Sequence, residues 1–519
     1  MTTDDGSSDA TAGDSLATGL RSLGDRSLTY PLSSPLTAGC PETSTDEVQY
    51  PLEVTYDYEA VDPTLFGDGA PENGAAEPAP GLDRWAPLLP PLAPIGLGEG
   101  ETPLLPADDV ADGIDLDADL FLKDESQNPT WSQKDRLARC VVSGAVREGA
   151  RGVVASSTGN HGAAVAAYAA RAGLEAVVVT APETPAAVQR FIDAYGGTLL
   201  AIDDATVRRE VVDRLAHEGY HPVSSRTPVH TGHPYGPEGY KTIAYEIHRD
   251  LGRVPGTVAV PTCYAELLYG VWKGFRELDR LGVVDETPRM LACEPATRGP
   301  LREALAEDDP VATVETNPTE AYSIATTTSS VRGRRAVEES DGDAIGFTEA
   351  DLASAEERLA HRGTWQESAG AGAVAGLARA HRDGHEIDGP VVAICTSSGL
   401  KNGELREAPP VEPDWDEIER ALSAAGHLDD CEFAPIGRRS RSPAPTVGFR
   451  ARKNRPTRLD LVPGFLEDDV LRQLSLGVVS TEVILEAPIG SQNRLADRTR
   501  RGWFECHCSS RSADRRVSI

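Results

Sequence analysis

The chain has 519 residues, a mass of 55.2 kDa and a formal net charge of -32, from 82 Asp and Glu against 50 Lys and Arg. That is roughly two to four domains' worth of sequence, and 39% hydrophobic residues are enough for a large core, which excludes wholesale disorder. The acidity excludes non-specific binding to nucleic acid or anionic membranes, whose phosphates it repels.

Only six of the cations are lysines (Lys123, Lys134, Lys241, Lys273, Lys401 and Lys453); the other 44 are arginines. Two origins fit this bias: a salt-adapted, halophilic enzyme whose carboxylates hold water and cations, or a GC-rich genome that favours Ala, Gly, Arg and Asp codons. Under either, a catalytic lysine has few places to stand. The first residues, MTTDDGSSDATAGDS, form neither a secretory signal nor an Arg-rich transit peptide. No apolar run approaches the roughly 18 residues that would span a bilayer. The eight cysteines are scattered without a CxxC pair, and Cys506 and Cys508 have the wrong spacing for a zinc knuckle. Reduced thiols and a cytoplasmic location are the expectation.

In chain order, residues 1–30 read as a disordered acidic tail and residues 31–80 as an N-terminal lobe plus linker. In that lobe YPLEVTYDYEA (50–60) alternates as a half-buried strand does, and GDGAPENGAAEPAP (67–80) is the linker. A catalytic core is expected over 81–405. Within it Val153–Ala155, the run Ala176–Thr180, TLLAID (198–203), GTVAVPT (256–262) and PVVAICTSS (390–398) read as strands. Between them, HGAAVAAYAARAGL (161–174), TPAAVQRFIDAYG (184–196), VVDRLAHEG (211–219) and AELLYGVWKGFRELDRLG (265–282) read as helices, and 357–384 as mostly helical. Such alternation predicts an α/β protein with parallel sheets and a site on the loops after the strand C-termini. Residues 406–430 are expected to form a C-terminal helix of the core. Residues 431–519 carry 16 Lys and Arg against 10 Asp and Glu, leaving the preceding residues near -38. Their lack of a periodic apolar face fits either an added basic tail, poorly ordered, or sequence read past a disrupted stop or out of frame; no function is assigned to them.

Five local features point to one kind of chemistry. Asn128 to Arg136 (NPTWSQKDR) is a turn followed by a helix start, which places Lys134 near the positive end of a helix dipole, where an amine's pKa falls. Ser156 to Gly162 (SSTGNHG) is a strand-to-helix turn suited to an anion, although such turns are also commonly structural. Val260 to Glu266 (VPTCYAE) is a further strand-to-helix turn and potential phosphate cradle, Thr396 to Lys401 (TSSGLK) follows the buried strand VVAIC, and Gly98 to Leu104 (GEGETPL) is a rigid turn entering the core. One lysine among several oxyanion-binding turns suits a pyridoxal phosphate enzyme, with the aldehyde on the lysine, the phosphate at one helix N-terminus and a substrate carboxylate at another.

In order along the chain, LGEGETPL, LKDESQNPTWSQKDR, ASSTGNHGAAVAAYAARAG, GPEGYKTIAYEI, YGVWKGFRELDRLG and TSSGLKN resemble the threonine synthase branch of the fold-type II pyridoxal phosphate enzymes, over about residues 81–405. The resemblance implies a two-lobed α/β fold with parallel and mixed sheets flanked by helices, its smaller mobile lobe at about 140–235, plus a small N-terminal lobe. It implies pyridoxal 5'-phosphate as cofactor. Lys134 matches the Schiff-base lysine and Asn160 the residue that hydrogen-bonds the cofactor's 3-oxygen. Pro261, Thr262, Cys263, Tyr264, Ala265 and Glu266 match the phosphate cradle, and Thr396 the hydroxyl facing the pyridine nitrogen. Ser157 and Thr158, with Asn160, match the loop that takes the substrate carboxylate.

Four departures stand out. Cys263 and Ala265 occupy glycine-like places in the cradle, which matters only where φ must be positive. Trp131-Ser132-Gln133 replaces the Gly-Ser-Phe common before the lysine. In HTGHPYGPEGYKT, His230, Thr231 and Gly236 stand where such enzymes carry the Asn, Ser and Arg that grip a substrate phosphate. The bidentate Arg fork is therefore missing, and His230 or His233 is the candidate substitute. Relatives also carry cysteine pairs resembling a zinc ribbon before the LEVTYDYE strand. Here Cys40 alone remains, and no metal site is expected.

The first expectation is conversion of O-phospho-L-homoserine and water to L-threonine and phosphate, with Lys134 as the catalytic lysine. The alternative is β-elimination or β-replacement on serine, threonine or a related amino acid, and a minor one is a degenerate binding homologue. The partner is a small amino acid, without nucleic acid or membrane, and a homodimer is the expected assembly.

Overall fold

The computed structural model describes residues 14–33, 36–67, 79–401, 408 and 410–426. The chain falls into two units, Met1–Leu405 and Arg406–Ile519. Ala17–Ser22 (β1) pairs antiparallel with Thr29–Tyr30 (β2) and with Leu52–Tyr56 (β3), in the order β2-β1-β3. The expected tail over 1–30 is thus corrected from residue 17 onward; residues 1–13 lie outside the described residues. Net acidity near the start hides the apolar residues Leu20 and Leu23, both of which are buried, and β1 is the central strand of its sheet. The expected strand at 50–60 is β3. Cys40 is buried beside this sheet, 3.0 Å from the Tyr30 hydroxyl. The sheet is tied to the core by buried polar contacts. Tyr56 donates to Glu238 (2.9 Å), Tyr269 to Glu53 (2.7 Å), and Lys273 to the Val54 carbonyl (2.7 Å).

The core begins with β4 (Leu104–Pro106), α1 (Asp108–Gly113), β5 (Leu120–Asp124) and α2 (Lys134–Arg147). The chain then builds a second sheet from β6 (Gly152–Ser156), α3 (Asn160–Ala172), β7 (Glu175–Thr180), α4 (Ala186–Ala194), β8 (Thr198–Ala201), α5 (Ala205–His217) and β9 (Tyr220–Pro222). It returns through α6 (Gly236–Leu251), β10 (Thr257–Pro261), α7 (Glu266–Arg280), β11 (Arg289–Pro295), α8 (Pro300–Ala306), α9 (Val331–Glu338), β12 (Asp343–Phe347), α10 (Glu349–His361), α11 (Ser368–Asp383) and β13 (Val391–Cys395).

The larger sheet has the order β12-β11-β10-β13-β5-β4, parallel except for β4, and the smaller is the all-parallel β8-β7-β6-β9. Parallel strands covered by helices on both faces read as unbroken apolar runs, as VVAIC of β13 does, each residue buried. Helix ends follow local chemistry: Gly173 closes α3 in the left-handed conformation, and Thr348 with Asp351 forms a capping box on α10. Helix α2 packs on α3 of the small sheet and on α6 of the large one, so its first residue lies between the two lobes. Among the described residues, no helix is long and apolar enough to cross a membrane. In the second unit, Trp415–Ala424 forms α12, within the range expected to be helical. The basic segment 431–519 lies outside the described residues.

Candidate active site

Lys134 is the first residue of α2 and is half-buried; its amine donates to the Tyr240 hydroxyl on α6 at 2.9 Å. The loop before it is stitched to the loop after β13. The Gln133 N–H donates to the Thr396 carbonyl (3.0 Å), and the Ser398 N–H and Ser397 hydroxyl both reach the Trp131 carbonyl. Trp131 takes φ +62°, a left-handed conformation uncommon outside glycine, and its ring meets Phe191 of α4 edge-on at 5.4 Å. Below Lys134 a wholly buried network fixes the helix: Arg136 bonds Glu125 (2.7 Å) and Glu246 (2.6 Å), and Lys123 pairs with Glu246 (2.8 Å). Buried pairs of this kind are strongly destabilising to break singly, because one charge is then left bare.

Asn160 opens α3 and is buried. Its amide N–H donates to Glu367 Oε1 (2.9 Å), and its carbonyl accepts from the Lys401 ammonium (2.7 Å). A carboxylate only accepts and an ammonium only donates, so these neighbours fix which way the amide points. Burial pulls the Lys401 ammonium down to about 8, against the opposing charges of Glu367 and Asp135. Glu367 also accepts from Ser323 (3.0 Å). Thr396 is buried at the C-terminal end of β13.

The turn from β10 into α7 places Ala265 at φ +60°, ψ +19°. The positive φ is required at Ala265, and a non-glycine residue there costs about 1–2 kcal/mol; at Cys263 it is not required. Gly333 of α9 leaves room for the Ala265 methyl, since a Cβ at 333 would stand 2.8 Å from it. The first turn of α7 then presents unpaired backbone N–H groups and the positive end of its dipole. The Glu266 carboxylate is turned toward Gly232 and Gly236, next to His230.

The remaining sequence-derived residues divide by what they already touch. The Ser157 hydroxyl accepts from the N–H groups of Gly159 (3.3 Å) and Gly162 (3.0 Å), shaping the start of α3, with Thr158 half-buried beside it. His230 lies near Glu266, its Nε2 without a hydrogen bond. The Thr231 hydroxyl donates to the Thr37 carbonyl (2.8 Å) of the N-terminal lobe. His233 accepts the Tyr235 N–H at Nδ1 (3.0 Å) and meets His221 Nε2 at 2.9 Å, while His221 Nδ1 meets Glu148 (2.9 Å). Both ring nitrogens of His233 are therefore engaged within the protein, and burial holds it neutral, well below the usual histidine range.

A model of the pyridoxal-phosphate dependent enzyme family matches residues 95–397. The chain belongs to that family. Among curated relatives, the threonine synthase of Synechocystis sp. is 35% identical over 327 residues, covering 62% of this chain and 83% of that protein. The threonine synthase of Methanosarcina acetivorans is 32% identical over 377 residues, covering 69% and 89%. Among solved structures, maize serine racemase aligns with a TM-score of 0.52 at 21% identity, covering 63% of this chain and 94% of that one, a likeness of fold. Two helix-flanked sheets and an N-terminal subdomain are the fold-type II architecture of these pyridoxal-phosphate dependent enzymes.

The cofactor of this family fits the residues present. The buried polar atoms without a partner include Ser132 Oγ and Gln133 Oε1 just before Lys134, His161 Nε2 in the first turn of α3, Tyr322 OH, and Oε2 of Glu367, whose Oε1 holds Asn160. Native interiors leave few such groups unpaired, and here they lie on the residues just before Lys134, at the start of α3 and on the partner of Asn160, where a polar ligand would supply what they lack. His161, half-buried, is drawn down to about 4 by burial and by Lys134, so it is a neutral imidazole. Sequence reasoning assigns no role to Tyr240, Glu367 or His161. Tyr240 stands inside GPEGYKT, but a tyrosine on an amphipathic helix reads as core. Glu367 gives a fainter signal, as a carboxylate at the start of an Ala/Gly helix.

Proposed function

We propose that this chain is a pyridoxal-phosphate-dependent carbon–oxygen lyase of the threonine synthase type, acting on a small amino acid. The observation that carries the reading is the Lys134–Tyr240 contact, between the lobes and beside the Asn160–Glu367–Lys401 cluster. Lys134 would hold the cofactor, with the 261–266 turn at its phosphate, Asn160 at its ring oxygen and Thr396 at its ring nitrogen. When bound, the cofactor supplies an electron sink that labilises bonds at the substrate's Cα and Cβ. The Lys134 amine moves the substrate's protons, and Tyr240 holds that amine in place. Ser157, Thr158 and the first turn of α3 take the substrate carboxylate.

Similarity to enzymes named threonine synthase supports O-phospho-L-homoserine and water as substrates, giving L-threonine and phosphate. A second reading, β-elimination or β-replacement on serine, threonine or a related amino acid, is favoured by one observation. Where a phosphate-gripping Arg would stand, Gly236 faces the Glu266 carboxylate. A paired assay decides between them: phosphate released from O-phosphohomoserine supports the first, and 2-oxo acid formed from serine or threonine with phosphohomoserine untouched defeats it. Lys134→Ala is expected to abolish both the visible absorbance of the bound cofactor and turnover. If neither the wild type nor the variant shows that absorbance, a binding homologue is the better description.

A further inference from the structure

Glu266 is the first residue of α7, and its carboxylate does not close the cradle but leans toward the loop before α6. Its Oε2 is 3.4 Å from His230 Nε2, and the His230 ring is stacked flat on Tyr264, centroids 4.0 Å apart and planes 10° from parallel. Gly232, at φ +62°, has no side chain because a Cβ there would overlap Glu266 Oε1. A Cβ on Gly236 would lie 3.5 Å from the same oxygen and 3.1 Å from Leu137. The carboxylate therefore fills the space that a long cationic side chain at 236 would otherwise enter.

The charge of Glu266 is felt at Lys134, His161 and Tyr240, so it belongs to the reaction site. Burial pushes this carboxyl up, but His230, Arg332 and Lys134 outweigh it and keep it ionised. The neighbouring cations are engaged: Arg332 is wholly enclosed and donates to the Thr231 and Leu52 carbonyls, and Lys134 donates to Tyr240.

We propose that Glu266 and His230 receive the distal end of the substrate and select a small amino acid whose far end donates hydrogen bonds (a hydroxyl or an ammonium) over one ending in phosphate. An ionised carboxylate only accepts hydrogen bonds, and a like-charged dianion beside it in a partly desolvated site is strongly repelled. This rests on the second reading above, β-elimination or β-replacement on serine, threonine or a related amino acid, and runs against O-phosphohomoserine as the substrate.

The test compares kcat/KM of the cofactor-loaded enzyme for L-serine, L-threonine, L-2,3-diaminopropionate and O-phospho-L-homoserine; the hydroxyl and ammonium arms separate the two donor chemistries. The wild type is expected to favour a donor-ended substrate over phosphohomoserine by at least about 100-fold. Glu266→Gln keeps the shape and removes the charge. It should narrow that ratio about 10-fold or more, chiefly through KM, while the visible absorbance of the bound cofactor is retained even if the lost charge lowers the melting temperature. Inorganic phosphate should inhibit a Glu266→Gly/Gly236→Arg double variant and leave the wild type unaffected. Preference of the wild type for phosphohomoserine, or inhibition of the wild type by phosphate, overturns the proposal even if the variants do not fold. A ratio unchanged in Glu266→Gln overturns the assignment to Glu266 while the lyase reading stands. A loaded enzyme that turns over none of the four substrates overturns both.

Discussion

On the proposed reading Lys134 and Tyr240 are the pair on which the chemistry turns, and their 2.9 Å contact makes a sharp prediction. Burial, reinforced by Glu266 and Glu125, keeps Tyr240 a phenol by raising it well above the ordinary tyrosine range, so the amine faces a hydroxyl at all working pH. Tyr240→Phe removes one oxygen and leaves the ring, which lies 5.3 Å from the amine. Visible cofactor absorbance should persist while kcat falls about 100-fold, within the span of lost acid–base assistance. A second prediction concerns Lys401, held near 8. Below that pH its ammonium fixes the Asn160 amide and faces Glu367 and Asp135; above it the charge is lost. The rate should therefore fall on the alkaline side with an apparent pKa near 8. Lys401→Met should remove that limb and lower kcat/KM about 10-fold, and Lys401→Arg should move the limb to higher pH. A pH–rate profile with the same limb in Lys401→Met would assign it to another group.

At the scale of elements, helices α6 and α7 lie close because glycines line their contact. A Cβ on Gly270 would stand 2.6 Å from the Pro237 carbonyl and 2.7 Å from Tyr240 Cβ. Alanine in a helix is favoured over glycine by about 1 kcal/mol, whereas overpacking against a rigid neighbour costs about 1–3 kcal/mol. The overlap wins, since one neighbour is backbone and the other is the residue that holds Lys134. Gly270→Ala is therefore expected to lower stability by about 1–2 kcal/mol in denaturant titration and to reduce kcat as Tyr240 shifts. Much of this scale is legible in the sequence. Long apolar strands and Ala-rich helices announce themselves by period, and the two parallel sheets follow. Strand β1 does not, because six residues with a bulge between Ala17 and Gly19 carry too little pattern beside an acidic start. In the site, Lys134 stands out as one of six lysines, and Asn160 by its motif. Glu266 reads in sequence as a backbone contributor, because its neighbours Gly232, in the loop before α6, and Gly236, at the start of α6, are 30 or more residues away.

Over the whole molecule the lysines resolve the composition into a pattern. Of the six, Lys453 lies outside the described residues; Lys123, Lys241, Lys273 and Lys401 are buried and Lys134 is half-buried. Lys123 pairs with Glu246, Lys241 with Glu238 and Glu277, and Lys273 with Glu238 and the Val54 carbonyl, while Lys134 and Lys401 stand in the site. Among the described residues, the exposed cations are therefore arginines and no lysine is exposed. GC-rich codon usage alone would thin lysine without regard to burial, whereas selection for an acidic, strongly hydrated surface removes it from the outside and spares it within. Net charge of -32 repels itself in dilute buffer, and salt screens exposed charges over about 10 Å at 0.1 M and about 3 Å at 1 M. The buried pairs are screened far less, so added salt relieves surface repulsion without loosening the interior. Melting temperature is accordingly expected to rise by several degrees from 0.1 to 2 M KCl, and activity to rise with it. Exchanging four exposed arginines for lysine should leave the rise intact, since charge is unchanged, whereas exchanging eight exposed Asp or Glu for Asn or Gln should flatten it. Stability that is indifferent to KCl in thermal melts would return the acidity to codon bias.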